Sequence, residues 1–554
     1  MGLAVALVAA ALAGCSGPLG APGAEEDGGP PPEVQVDGGL LLGAADGLIR
    51  VRALGAAATC TLEWPAGSGR RTWQVQFANV IAPERALLTV DGREAPSVGV
   101  RPVGPERPTA GPADTVDPAE PNPRPSPIVA VDVTPRPGQQ TVVGLVTPAP
   151  PAPWRFAVIG DTQGRNESLA RAAELIAAAD AEFIVHLGDM TSAGAAAGYR
   201  AFEAAVGRAG LAYLTVPGNH DVRGDGLATY ERELAPRDYA VEVAGWRLVF
   251  VDTSSLEVDE AQLAAIDLDL GNYADQPTLV FTHVPPFDPR ALAGEDPHTL
   301  MAGADELLDL LQRHPQVAAV FCGHIHMFYH REALEAGGGP QLVISGGGGA
   351  RLYAGEDQGG FHHFVMVTVG ADGGIGVEPV PFAPADPPDG LVVRGPDGTA
   401  ELTFDQLKAM EAAEADSSFE NQFGNVRGAG RYRGVAVADL LALVGGMRRG
   451  DRLRVHASDG FEQTYEFVNV YPPAEGPYAR QGQMVLAHGY AAVGEALAAV
   501  PEWEDGPRLV FLPEDGLYSN EDCRLSSPPG TGWHEYQSAG ARWPRNVALL
   551  EVVR

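Results

Sequence analysis

Between Gly47 and Val146 apolar and polar residues alternate in short runs, at Gly47–Leu54, Thr72–Phe77, Ala86–Val90, Ile128–Thr134 and Gln140–Val146. A period of two bounded by turn residues predicts half-buried strands, and such a set suits a small β-sandwich over residues 33–150. A proline-dense acidic stretch from 101 to 127 interrupts the alternation and reads as an extended insertion. After Pro153 the rhythm changes. Strand-like runs at 155–159, 182–187 and 212–216 alternate with helical patterns at Ser168–Ala179 and Tyr199–Val206. Further apolar runs follow at 247–251, 278–282, 317–322, 342–345 and 363–369. Strand, loop and helix in repetition predict an α/β domain over residues 154–382. A Pro- and Asp-rich linker at 383–390 closes it, and 391–554 read as a third, mixed α/β domain without internal repeats.

Length and charge narrow the functional classes. A chain of 554 residues predicts about three domains. Asp and Glu number 72 against 38 Lys and Arg, a formal charge of −34, which repels nucleic-acid backbones and suits solubility and cation binding. The four cysteines, Cys15, Cys60, Cys322 and Cys523, are too scattered for a disulfide framework or a sulfur-ligated zinc site; Cys60 reads as an ordinary buried thiol, with pairing to Cys523 in an oxidising compartment as the alternative. No internal run approaches the roughly 20 apolar residues that span a bilayer. The short apolar stretch Ala4–Leu12 ends in Leu12-Ala13-Gly14-Cys15 and is followed by polar, Gly- and Pro-rich sequence. This resembles a bacterial lipoprotein signal over residues 1–15. The resemblance implies an exported chain, acylated at Cys15 and anchored to the cell envelope at the outer membrane or periplasmic face, with residues 16–32 as a flexible tether.

Five polar clusters follow apolar runs of the central region: Asp161-Thr162-Gln163, Gly188-Asp189, Gly218-Asn219-His220-Asp221, His283, and Gly323-His324-Ile325-His326. They fall where open α/β sheets present ligand-binding loops, at the carboxyl ends of strands. A glycine before a ligand is expected to let the chain turn so that the side chain enters the site. In order and spacing the clusters resemble the calcineurin-like metallophosphoesterase superfamily. The resemblance implies hydrolysis of phosphate mono- or diesters by two divalent ions. Asp161, Asp189 and His326 would hold the first, Asp189, Asn219, His283 and His324 the second, with Asp189 shared. Oxygen and imidazole donors suit Mn, Fe, Zn or Ni. Gln163 stands where the family usually has histidine, and either ligates the first ion or hydrogen-bonds water there. His220 would sit by the leaving oxygen with Asp221 behind it. Ser192, three residues after Asp189, replaces the tyrosine of purple acid phosphatases. The run Ser345-Gly346-Gly347-Gly348-Gly349 is either a turn between strands or a place where backbone approaches the site. His186, His298, His314, His330, His362 and His363 are assigned no role.

The C-terminal region carries Glu401–Leu407, Gly424-Asn425, Tyr432–Leu441 and Ser458–Phe461, which resemble the molybdopterin-binding domain of sulfite-oxidase-type enzymes. That family has a cysteine just before the Gly-Asn pair, where this chain has Gln422-Phe423, so no molybdopterin is expected. The small phosphate ester is the expected substrate. A surface binding or structural lipoprotein with a weakened site is the competing reading, against which stand two retained acids and three retained histidines.

Overall fold

The computed structural model describes residues 30–100, 127–290, 299–333, 339–350, 352–384, 390–458, 461–500, 503, 505–529, 531–534 and 536–554. The lipoprotein motif with Cys15, nearly all of the tether, the insertion at 101–126, His298 and most of the 383–390 linker therefore lie outside the described residues. The chain divides into two compact units, Met1–Pro384 and Ala385–Arg554.

In the first unit, two N-terminal sheets pack face to face. One has the order β1 (Glu33–Asp37), β4 (Ala57–Glu63), β9 (Gln140–Val146), β6 (Leu87–Val90), β7 (Arg93–Ala95); the other is β2 (Gly39–Ala45), β3 (Leu48–Ala53), β5 (Trp73–Ala78), β8 (Ile128–Val133). Cys60, Leu62, Val143 and Leu145 from the first sheet share one core with Ile49, Val51, Val75 and Phe77 from the second. The alternating burial along β9 is the predicted period of two, and β4, which lies outside the predicted runs, shares it.

The central region also holds two sheets. The first has the order β12 (Ala212–Thr215), β11 (Phe183–His186), β10 (Trp154–Ile159), β19 (His363–Val369), β20 (Ile375–Pro381). The second is β13 (Tyr239–Val243), β14 (Trp246–Val251), β15 (Thr278–Thr282), β16 (Val317–Cys322), β18 (Gln341–Ser345), β17 (Phe328–Arg331). Helices α1 (Asn166–Ala178), α2 (Ala196–Val206), α3 (Gly226–Glu233), α4 (Glu260–Asn272) and α5 (Ala304–Arg313) link the strands. Parallel strands buried on both faces read as unbroken apolar runs, which is why β10, β15 and β16 were legible in sequence. Paired register places Tyr239, Phe250, Phe281 and Phe321 side by side on four adjacent strands. Their rings stack in succession at 4.4, 4.9 and 5.3 Å. Phe156 of the other sheet meets Phe281 and Phe321 edge-on at 6.3 Å. Contacts of this kind contribute roughly 0.5–1.5 kcal/mol each beyond burial, and they lock the two sheets that carry the site.

The sandwich is joined to the central sheets rather than merely tethered. The buried Asn79 side chain accepts from Tyr213 N at 2.8 Å and donates to the carbonyls of Tyr213 and Ala53. Arg52 lies over the Tyr213 ring at 4.3 Å and donates to its hydroxyl. These bonds satisfy the open edge of β12, which would otherwise expose unpaired backbone.

The second unit is β-rich. One sheet has the order β22 (Gly398–Thr403), β21 (Gly390–Gly395), β30 (Val547–Val553), β25 (Arg452–Ala457), β26 (Glu462–Glu466). The other joins β23 (Ala413–Glu420), β24 (Val426–Ala436), β27 (Gln483–Ala492) and β28 (Ala498–Ala499), with β29 (Arg508–Leu512) also paired to β27. Gln422 and Phe423 lie in the turn between β23 and β24, with Phe423 largely exposed. Cys60, Cys322 and Cys523 are free, buried thiols.

Candidate metal centre

The seven candidate ligands converge from five strand ends. Asp161 and Gln163 follow β10, Asp189 follows β11, Asn219 follows β12, His283 follows β15, and His324 and His326 follow β16. The sharp turns are made mainly by the ligands themselves. Asp161, Gln163, Asp189 and His324 have φ of 60°, 42°, 54° and 66°, the left-handed region that side chains rarely adopt. Among the preceding glycines only Gly188 shares that region, with φ of 88°. The expectation that each glycine supplies the turn is therefore corrected. Gly323 supplies room instead: a Cβ there would stand 2.6 Å from Asp161 Oδ2. Strained backbone at several polar residues of one pocket is typical of functional sites, where surrounding structure holds it in place.

Two groups form around Asp189. Asp161, Asp189 and His326 are buried, with one donor atom of each within 4.8 Å of the others. Asp161 Oδ2 accepts from His324 N at 2.8 Å, whereas buried Asp161 Oδ1 has no hydrogen-bond partner and faces His326 Nε2 at 3.4 Å. Gln163 reaches the same group, its amide 3.1 Å from Asp189 Oδ2 and 3.3 Å from His326 Nε2. In the second group, Asn219 Oδ1 lies 3.1 Å from both His283 Nε2 and His324 Nδ1, and those two nitrogens lie 3.3 Å apart. Asp189 Oδ1 stands 3.4 Å from His283 Nε2, so one carboxylate touches both groups.

The tautomers make the second group informative. His283 Nδ1 donates to the Leu187 carbonyl at 2.8 Å, which leaves Nε2 of the neutral ring as an acceptor. An acceptor nitrogen facing an amide oxygen at 3.1 Å is repulsive unless a cation, or a proton on the ring, lies between. Burial works to lower the pKa of His283, but the charges of Asp189 and Asp161 outweigh it and raise it. Burial likewise pushes Asp161 up. It opposes ionisation of Asp189, yet His220, His283 and His324 together hold that carboxyl well below the usual carboxylate range. An orphaned carboxylate oxygen and clustered oxygen and imidazole acceptors fit divalent cations of the Mn, Fe, Zn or Ni kind.

His220 and Asp221 do separate work. His220 Nδ1 donates to the Ser192 carbonyl at 2.9 Å, and Nε2 faces inward, 3.9 Å from Asp189 Oδ2. Burial lowers its pKa to about 4, against the pull of Asp189. A neutral ring so held accepts a proton at Nε2, and must gain one before it can donate to a leaving oxygen. The sequence reading put Asp221 behind His220; its carboxylate instead accepts from Met190 N, Thr191 N, Thr191 Oγ1 and Gly218 N at 2.8–3.1 Å. It thereby pins the Asp189 loop to the Asn219 loop. Burial and the nearby Asp189 charge raise its pKa to about 7, opposed by those amides.

Several supporting residues escaped sequence reasoning. Thr253 Oγ1 accepts from the backbone of His283 at 3.1 Å and of Val284 at 2.7 Å; its place just past the run 247–251 was the available signal. Tyr353 stacks on His326 at 4.0 Å, and Arg290 sits over Tyr353. Two of the six histidines assigned no role support residues next to the site: His186 meets Thr162 Oγ1 at 3.2 Å, and His363 meets Ser345 Oγ at 3.2 Å. The glycine run packs on the first ligand loop, with Gly348 N donating to Gly160 O and Ala350 N to Asp161 O.

Comparison with known proteins agrees with this geometry. Residues 155–328 match the family model of the calcineurin-like phosphoesterases. Glycerophosphodiester phosphodiesterase GpdQ of Enterobacter lignolyticus is 31% identical over 169 residues, covering 28% of this chain and 60% of that protein. The 3',5'-cyclic adenosine monophosphate phosphodiesterase CpdA of Vibrio vulnificus is 26% identical over 154 residues, 26% of this chain and 54% of that protein. The chain thus spans somewhat over half the length of the curated relatives it matches. Among solved structures, purple acid phosphatase PPD1 from yellow lupin is 15% identical with a TM-score of 0.34, covering 56% of this chain and 67% of that one. Sulfane dehydrogenase SoxCD from Paracoccus pantotrophus is 15% identical with a TM-score of 0.21, covering 34% and 46%; likeness this distant supports no assignment. With its ligand-bearing strand ends and its buried Asp-Asp-His group, the segment 155–328 is a calcineurin-like metallophosphoesterase domain within a longer chain.

Proposed function

We propose that this chain is a metal-dependent phosphodiesterase. Asp161, Gln163, Asp189 and His326 would hold one divalent ion, and Asp189, Asn219, His283 and His324 a second. The observation that carries this reading is the crowding of acceptors, Asn219 Oδ1, His283 Nε2 and the orphaned Asp161 Oδ1, around a shared buried carboxylate. Such ions supply Lewis acidity at phosphoryl oxygens and a more acidic water. The chain's own residues position them: Leu187 fixes the His283 tautomer, Asp221 and Thr253 clamp the loops, and His220 Nε2 exchanges a proton with a substrate oxygen. The naming of the relatives as phosphodiesterases favours a diester over a monoester.

The test is hydrolysis of bis-p-nitrophenyl phosphate and p-nitrophenyl phosphate with added Mn, Fe, Zn or Ni. The diester is expected to react faster, EDTA to abolish turnover, and metal analysis to find about two ions per chain. Absence of turnover with every metal would falsify the hydrolase reading. Export and acylation at Cys15 are proposed from the Leu12–Cys15 motif. A Cys15→Ala variant should move from membrane to soluble fractions, and an unchanged distribution would remove the anchor.

A further inference from the structure

We propose that Arg223 is a specificity-determining residue that selects phosphate esters whose leaving group carries a second anionic group. The inference rests on the hydrolase reading above. Arg223 Nη1 donates to the Ser192 carbonyl at 3.2 Å, and that same oxygen accepts His220 Nδ1 at 2.9 Å. One carbonyl therefore ties the guanidinium to the outer nitrogen of the imidazole whose inner nitrogen faces Asp189. The guanidinium is thereby held at the Nδ1 edge of the His220 ring, while Nε2 faces Asp189. If a leaving group departs past His220, as the hydrolase reading has it, this guanidinium is the cation tied to the same ring.

The backbone that bears it is fixed. The segment 221–226 is pressed on 191–194: a Cβ at Gly194 would stand 2.5 Å from Asp221 O and 2.7 Å from Arg223 O, and Gly194 has φ of 71°. Gly226 N donates to Arg223 O at 2.9 Å, and Tyr199 Oη donates to Asp221 O at 2.9 Å. The side chain, by contrast, is exposed, so it reaches solvent from a rigid base. In a chain with 72 acids and 38 basic residues, a guanidinium sharing a carbonyl with a site histidine is not the surface average. An anionic substrate must cross that negative field, and a fixed cation by the leaving group offsets the repulsion there while a neutral leaving group gains nothing from it. Planar guanidinium geometry matches a carboxylate or phosphate through paired N–H donors.

The discriminating probes are the diesters methyl 4-carboxyphenyl phosphate and its neutral isostere methyl 4-carbamoylphenyl phosphate, assayed with the metal-loaded full chain. The wild-type ratio of kcat/KM, carboxyl over carbamoyl, is expected at about 10, falling to about 1 in Arg223→Gln and staying between in Arg223→Lys. The preference should also shrink as salt rises from 0.05 to 0.5 M, since the partner is exposed. A ratio equal in wild type and Arg223→Gln overturns the assignment, as does a wild type that prefers the carbamoyl ester. If the carbamoyl ester turns over in wild type, the hydrolase reading stands whichever way the ratio falls. If neither ester reacts while bis-p-nitrophenyl phosphate does, the assignment falls and the hydrolase reading stands; if none of the three reacts, both fall.

Discussion

Asp189→Asn is expected to lose activity by on the order of 10³-fold or more in kcat/KM and to retain at most one metal ion per chain. Asp189 is the residue that touches both groups: Oδ1 faces His283 Nε2 and accepts from His220 N, while Oδ2 lies against the Gln163 amide. The change is nearly isosteric, and asparagine tolerates the left-handed backbone that Asp189 adopts. What is removed is therefore the charge rather than the turn. Without it, neighbouring ions would repel each other across a neutral amide, and His283 would lose the acid that most favours its charged form. Kinetics with the bis-ester and metal analysis of the purified variant check both parts. A variant that keeps two ions and activity within tenfold of wild type would show that Asp189 is not shared between them.

His220→Ala should behave differently, with kcat lowered by about 10² to 10⁴ while both ions stay bound. The ring makes no contact shorter than 3.9 Å to the cluster carboxylate, and the bond that orders Asp189 comes from the His220 backbone, which alanine keeps. Loss of proton exchange at Nε2 should weigh most on esters with basic alkoxide leaving groups and least on p-nitrophenolate, which departs without a proton. A uniform loss across leaving groups, or loss of metal along with the ring, would reassign His220 to holding the site together. The two variants thus separate charge between the ions from proton handling at the edge of the site.

Much of the fold was legible because buried parallel strands leave long apolar runs and half-buried antiparallel strands leave alternation. β10, β15 and β16 fall on predicted runs, as do β5, β8 and β9. Among the elements that escaped are several with weak patterns. β1, β2 and β7 lie at or near sheet edges, with mixed burial. α4 buries only a few residues and has little apolar periodicity along its length, so its helical identity rests on the Asp259–Gln262 capping box. The union of the sandwich with the central sheets was equally hidden, since Asn79 and Arg52 find Tyr213 more than 130 residues away.

Sequence by itself determined the chemistry of the centre: which residue types stand at five strand ends, in what order, and hence that acids, an amide and imidazoles would converge. Side-chain identity and strand periodicity are local properties, and a linear reading reaches them. Only the tertiary structure decided how those groups are held. It set the left-handed backbone at Asp161, Gln163, Asp189 and His324, the Leu187 carbonyl that fixes the His283 tautomer, and the shared Ser192 carbonyl behind His220 and Arg223. It also turned Asp221 from an expected partner of His220 into the clamp of two loops. Backbone carbonyls and amides carry no residue signature, so every role they play depends on which distant segments the packed sheets bring within 3 Å.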